Sequence, residues 1–336
     1  MNQKFLLVCP FGHQTGGPEA IHQLGELLRE TEQDVSIIYI KQDEHYSFRA
    51  ALNSVSAGTV LDLGDRSSGV CEDFIKYRVP IARFISVDQQ YIVIIPEVLI
   101  DWLDVFQRSI QVLWWLSVDH AFQKIPHTLL NHLRTKIQLH AYQSNYANRF
   151  LKLMQFTPTI SLSDYTHNED QHTIGPIDES EKGISISGLQ KVVFNVDIIA
   201  SRLKRRFDCE IKVIRGMTQS ATFECLRRSR LYIDLGSFPG KDRLPREAVI
   251  RGNHVLLLDV GAVASDDFRL PNTHRVPISS IDSIDSFVEF AFNYYRVNEF
   301  HFHKFRSEVQ QERIKLKSEV DQLISTVQAI QRRGSV

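Results

Sequence analysis

Apolar and polar positions along the first forty residues fall in the order strand, turn, helix, strand. FLLVCPF (5–11) is apolar on both faces, GHQTGGP (12–18) interrupts it, EAIHQLGELLRE (19–30) repeats apolar residues at helical spacing, and DVSIIYI (34–40) is a second strand. The pattern predicts a βαβ unit. Further apolar runs at 58–64, 81–87, 90–97 and 111–119 suit strands of a parallel sheet covered on both faces. A short strand and a helix opening near Ser144 are expected within 128–153, followed by a polar, turn-rich stretch over 157–183.

The alternation then restarts: GISISG (183–188), a helix near 195–207, CEIKVIRG (209–216), a helix near 219–228, RLYIDLG (230–236), a helix at 245–252 and HVLLLDVG (254–261). Two tandem Rossmann-like α/β domains follow, with two closing helices after 284. The expected boundaries are 1–165, a linker at 166–183, 184–283, and 284–336 for the closing helices. These helices either cross back onto the first half or bind a partner.

Composition narrows the class. The 336 residues are 43% hydrophobic and 24% charged, as in soluble globular proteins, and their formal net charge of −1 offers no general field for nucleic acid. SRLKRRF (201–207) is read as a solvated helix face. The four cysteines form no CxxC pair, which argues against zinc and disulfides and fits a reducing cytoplasm. No apolar segment approaches the roughly 18 residues of a spanning helix, so membrane contact, if any, is expected to be peripheral.

Ligands of open α/β sheets sit beyond the carboxyl ends of the strands, which directs attention to three loops. In the first, Gly16 and Gly17 allow close backbone approach, Pro18 suits a first helical position, and the helix start favours an anion; the glycines could equally serve a tight turn. His13 shares this loop. The second ends in Ser117, Asp119 and His120, with Asp119 or His120 a candidate acid, base or hydroxyl anchor, or Asp119 a helix cap. Trp114 and Trp115 are expected in the core.

The third loop, LGSFPGKDRLPREA (235–248), follows Asp234. Lys241, Arg243 and Arg246 lie beside a helix start, where cations repel the dipole unless an anion intervenes. A bound phosphate would supply that anion, and Glu247 could accept from a ribose diol. A solvated loop with local ion pairs is the alternative.

TGGPEAIHQL (15–24), WWLSVD (114–119), YQSNYANRFL (142–151), LSDY (162–165) and YIDLGSFPGKDRLPREA (232–248) together resemble GT-B glycosyltransferases, a bacterial group near the GT4-type enzymes found with surface-polysaccharide genes. The resemblance implies a nucleotide-sugar donor on the C-terminal half, a glycan or lipid-linked acceptor on the N-terminal half, catalysis in the cleft between them, and retention of configuration. It also implies two glutamates eight positions apart; Glu247 matches the later one, and Pro239 stands at the earlier. The family's diphosphate-gripping basic pair has no counterpart around GISISGLQKVVF, where Lys191 is the one cation, so Lys241 and Arg243 are expected to take that duty.

The expectation is therefore a cytoplasmic glycosyltransferase with no cofactor, the nucleotide-sugar being a substrate. It is expected to be metal-independent, since Asp266 and Asp267 lie in a surface turn rather than a DxD-like site. A nucleotide-sugar epimerase and a non-catalytic binding or scaffold protein remain the alternatives.

Overall fold

The computed structural model describes residues 4–41, 44–54, 60–86, 89–122, 125–167, 183–189 and 194–334. Most of the expected linker and Lys191 lie outside these residues. The chain forms two compact units, Met1–Tyr165 with Ile314–Val336, and Thr166–Arg313.

The first unit runs β1 (Lys4–Pro10), α1 (Gly16–Glu30), β2 (Asp34–Ile40), α2 (His45–Ser54), β3 (Val60–Asp62), β4 (Phe84–Ser86), β5 (Ile92–Pro96), β6 (Ile110–Trp115), α3 (Val118–Phe122), α4 (His127–Thr135), β7 (Leu139–Tyr142), α5 (Asn145–Met154) and β8 (Thr159–Ser161). Six strands pair in parallel in the order β2-β1-β5-β6-β7-β8. Alternation along each strand sends Phe5, Leu7, Ile92, Ile94, Val112 and Trp114 into one buried cluster, and Leu6, Val8, Val93, Ile95, Leu113 and Trp115 into the other. Both faces are thus covered, as the continuous apolar runs require.

The runs at 58–64 and 81–87 do not join this sheet as strands. Their middles form the antiparallel ribbon β3-β4, and Ile81 makes only an isolated bridge to Ile37. The reason is local: Val60 and Phe84 remain about half exposed, so neither run is apolar on two faces.

The second unit continues with β9 (Gly183–Ser187), α6 (Val196–Arg206), β10 (Ile211–Ile214), α7 (Gln219–Arg227), β11 (Ser229–Asp234), α8 (Arg243–Ile250), β12 (His254–Leu258), α9 (Gly261–Ala264), β13 (Arg275–Val276), α10 (Ile284–Asn293), α11 (Tyr295–Gln310) and the start of α12 (Glu312–Gly334). Its five strands are parallel, in the order β10-β9-β11-β12-β13. Three helices, not two, close the chain. In α6, Arg202 and Arg206 are not simply solvated; they reach Asp285 (3.0 Å) and Glu289 (2.6 Å) one turn apart on α10, while Lys204 and Arg205 are exposed.

From Ile314 onward, α12 belongs to the first unit. Leu316, Val320, Leu323 and Val327 recur at spacings of four and three and are buried in the cluster around Phe5, Leu7 and Ile94. On the same helix the buried Glu319 accepts from Ser161 Oγ, Ser163 N and Ser163 Oγ, each at 2.6 Å.

Candidate active-site loops

Each sheet reverses its strand order once: between β1 and β5 in the first unit, and between β9 and β11 in the second. The carboxyl ends flanking those points are where α/β sheets bind ligands.

In the first unit the loop after β1 turns at Gly12, whose φ of +70° is a conformation natural to glycine. Gly16 and Gly17 are different. Helix α1 begins at Gly16, earlier than expected, so these glycines are its first two residues and Pro18 is the third. A Cβ at Gly16 would meet nothing within 4 Å, and one at Gly17 only Leu116 Cδ1 at 3.8 Å. Neither glycine is demanded by the packing of the turn. The N-cap Thr15 makes no side-chain cap bond, and His13 is exposed in the same loop.

The loop after β6 is held from beneath by a residue the sequence reading missed. Glu97, directly after β5, is buried and accepts from the backbone amides of Leu116 and Ser117, both at 2.8 Å. Burial pushes its carboxyl up to about 7, against the opposing pull of those amides. Beyond the pinned segment, α3 presents Asp119 and His120. Asp119 accepts from Tyr146 Oη at 2.8 Å, so its carboxylate is oriented by α5 rather than spent as a helix cap; burial and then Asp119 push the Tyr146 phenol up to about 12. His120 is exposed, with Nδ1 3.1 Å from Ser117 Oγ. The pairs Ser117–His120 and Asp119–Tyr146 therefore share one strand end. Tyr146 lies in YQSNYANRFL, where only the helix start at Ser144 was legible; Ser144 does cap α5, accepting from Ala147 N.

In the second unit two expected ligand groups turn inward. Asp234 is fully buried and accepts from Tyr232 Oη (2.7 Å) and Gly236 N (3.0 Å), bracing the loop that follows β11. Arg246 is 0% exposed. Its Nη1 meets Glu312 Oε2 at 2.7 Å, Nε donates to Asp242 O at 3.2 Å, and Nη2 donates to Lys241 O at 3.0 Å. Lys241 Nζ meets the other oxygen, Glu312 Oε1, at 2.8 Å. An anion does stand among these cations, as the helix dipole argument requires, but it is a carboxylate of this chain. Asp234 and Arg246, expected as ligand contacts, thus have partners within the second unit itself. Arg243, the first residue of α8, and Lys241 are partly exposed, and Glu247 is nearly buried on the same helix.

The loop's path is fixed further by Phe238, a buried residue with φ of 48°, whose carbonyl accepts from Ala262 N at 2.9 Å. The approach is so close that a Cβ on Gly261 would lie 2.2 Å from that carbonyl oxygen. Helix α8 starts at Arg243, two residues earlier than expected, which places Pro245 inside its first turn.

Asp266, with φ of 60°, is exposed and pairs with Arg275 at 2.7 Å in the expected surface turn. Among the described residues no group of three or more His, Cys, Asp or Glu could hold a metal ion, and no helix is long and apolar enough to cross a membrane.

No protein-family model and no curated protein sequence matches the chain. Solved structures do. Sucrose-phosphate synthase from Thermosynechococcus elongatus is 10% identical with a TM-score of 0.64, covering 98% of this chain and 100% of its own. TarM is 10% identical at 0.62, covering 97% and 99%. HepE of Anabaena, solved in complex with UDP-glucose, is 9% identical at 0.59, covering 97% and 100%. At such identities the likeness is one of fold, and it extends over almost the whole chain. The chain has the GT-B fold, with two Rossmann-like domains.

Proposed function

We propose that the chain is a glycosyltransferase that moves a sugar from a nucleotide-sugar donor to a glycan or lipid-linked acceptor, with retention of configuration and no resident metal. The observation that carries this reading is the end-to-end GT-B likeness to proteins such as HepE, solved with UDP-glucose, and sucrose-phosphate synthase. Fold alone does not dictate chemistry, so the residues at the two switch points must supply the rest.

Transfer breaks the bond between the anomeric carbon and the donor's phosphate oxygen and forms one to an acceptor hydroxyl, whose proton must be taken up. Developing charge on the leaving diphosphate calls for donors aimed at it. In the first unit the amides of Gly16 and Gly17 at the start of α1 are suited to an anion; in the second, Lys241 and Arg243 are suited to phosphate oxygens and Glu247 to the ribose hydroxyls. Lys241 Nζ also meets Glu312, and a lysine carries three donors. Asp119, aimed by Tyr146, and His120, beside Ser117, are the proton-handling candidates, with His13 third. Synthesis of a bacterial surface polysaccharide, carried out on the cytoplasmic side, is the setting we assign to this activity.

The second reading, a non-catalytic nucleotide- or glycan-binding protein, is favoured by one feature: a buried proline, Pro239, stands where the resembling enzymes carry a glutamate. A thermal-shift panel of UDP-, GDP-, CMP- and dTDP-sugars separates the cases, because a ligand bound only by the folded state raises Tm by mass action. One nucleotide class is expected to stabilise the protein selectively and to be consumed when acceptor is added. Binding without turnover supports the second reading, turnover without acceptor an epimerase, and no stabilisation by any donor ends the proposal. In the Lys241→Ala, Arg243→Ala double variant, donor affinity is expected to fall at least about tenfold, since charge-assisted bonds to phosphate are each of order 1.5–3 kcal/mol. Unchanged affinity would release both residues from the site.

A further inference from the structure

Helix α11 has one face packed into the second unit and one left bare. Its inward residues Asn298, Phe302, Phe305 and Val309 are buried, Phe302 stacking on His254 at 4.0 Å and Arg306 Nε donating to Val249 O at 2.9 Å. At about 100° per residue, Arg296, Val297, Phe300 and Lys304 project from the opposite side. Val297 is 71% exposed and Phe300 75%, and Arg296, His301, His303 and Lys304 are exposed beside them. Tyr294, about half exposed, adjoins this face at the helix start. The acid in this stretch, Glu299, is turned aside toward His254 (2.9 Å) and Arg306 (3.4 Å). The outward arc thus combines large apolar side chains with cations over 294–304, and the carboxylate that follows on the same arc, Glu308, is paired with Arg269 at 2.7 Å.

We propose that this face of α11 docks on an anionic bilayer surface, lying in the interface with Val297 and Phe300 dipped into the headgroup boundary and Arg296 and Lys304 against lipid phosphates. Single exposed apolar residues need no explanation, but two on one arc with cations beside them match an interfacial helix face. Charge complementarity selects the occupant. A second copy of the chain bringing the same face would oppose like charges, whereas an anionic leaflet attracts each cation near its surface. The contacts and the test do not depend on the proposed activity.

The test is vesicle co-sedimentation of the full chain without any sugar donor. The protein is expected to pellet with phosphatidylcholine vesicles containing phosphatidylglycerol and not with pure phosphatidylcholine, and to be released by salt, which screens exposed charges. Val297→Ser with Phe300→Ser is expected to lower partitioning at least about tenfold, as the loss of two buried apolar side chains implies. Lys304→Glu should weaken it as well. Leu153→Ser, which alters an exposed leucine on α5, is the control and should change nothing; an unchanged Tm in each variant shows that the fold is kept. Absence of binding to the anionic vesicles, or equal binding by the double variant, overturns the proposal. So does light scattering that shows a dimer dissolved by the double variant while vesicle binding persists.

Discussion

Arg246 is the residue on which the second unit's loop turns. A guanidinium with no exposure cannot be hydrated, and taking a charge out of water is tolerable only when a partner and further hydrogen bonds replace the solvent. Glu312 provides the partner; the Lys241 and Asp242 carbonyls provide the bonds. The same carboxylate also accepts from Thr166 N at 3.1 Å and Thr166 Oγ1 at 3.2 Å. Glu312→Gln leaves one oxygen and turns an amide toward a cation, so unfolding free energy is expected to fall by roughly 3–5 kcal/mol in urea titration. Replacing both partners, Arg246→Met with Glu312→Met, should cost less than the single change, because the fully buried guanidinium goes with its partner and, of the charged groups, only the partly exposed Lys241 loses a contact. A loss below about 1 kcal/mol for Glu312→Gln would mean that the pair is not the brace described here.

At the scale of elements, the loop between β6 and α3 depends on Glu97, and its behaviour with pH follows in sign. The folded-state carboxyl sits near 7, above its ordinary value of 4.5, so the folded protein binds this proton more readily than the unfolded chain. That contribution to stability is complete below 4.5 and is lost as pH rises through 7. His140 and His274 act in the opposite direction. Burial holds them at about 4 and about 3, below the ordinary 6.5, so their contribution is complete above 6.5 and is lost as pH falls toward those values. Tm of Glu97→Gln relative to the parent protein should therefore rise between pH 4.5 and 7, on top of a constant offset from the altered amide contact. A difference in Tm that stays flat across that interval would show that Glu97 is ionised throughout. These elements also show what the chain's own pattern reveals. The strands β1, β2, β5 and β6 are legible because most of both faces is buried, which writes a nearly continuous apolar run. β8 and β13, with three and two residues, leave too short a run to see, and β8 lies inside the stretch expected to be polar and turn-rich. Glu97 was invisible for a different reason: its environment is made by amides 19 and 20 residues away, and nothing in IVIIPE marks the carboxylate as buried.

For the whole molecule, the decisive element is α12, because it begins among the residues of the second unit and supplies the core of the first. Its apolar spacing was readable, but two destinations fitted it equally, since amphipathic spacing says that a face will be buried and not against what. The same limit applied to Lys241, Arg243 and Arg246: the sequence disclosed an anion requirement, while Glu312, which meets Lys241 and Arg246, lies 66 residues beyond Arg246. If Leu316, Val320, Leu323 and Val327 are core rather than ornament, a chain ending at Arg313 uncovers the part of one sheet face that α1 does not cover and removes the acceptor from Ser161 and Ser163. Burying each such side chain contributes about 1.5–3 kcal/mol, so four together approach the entire 5–15 kcal/mol stability of an ordinary domain. Limited proteolysis of the truncated chain should then cut early within 4–165 and late within 183–313, where Glu312 and its partners are retained. Leu323→Ala in the full chain should show the same polarity more mildly, losing about 2–5 kcal/mol. Equal protection of both segments after truncation would place the stability of the first unit elsewhere than in this helix.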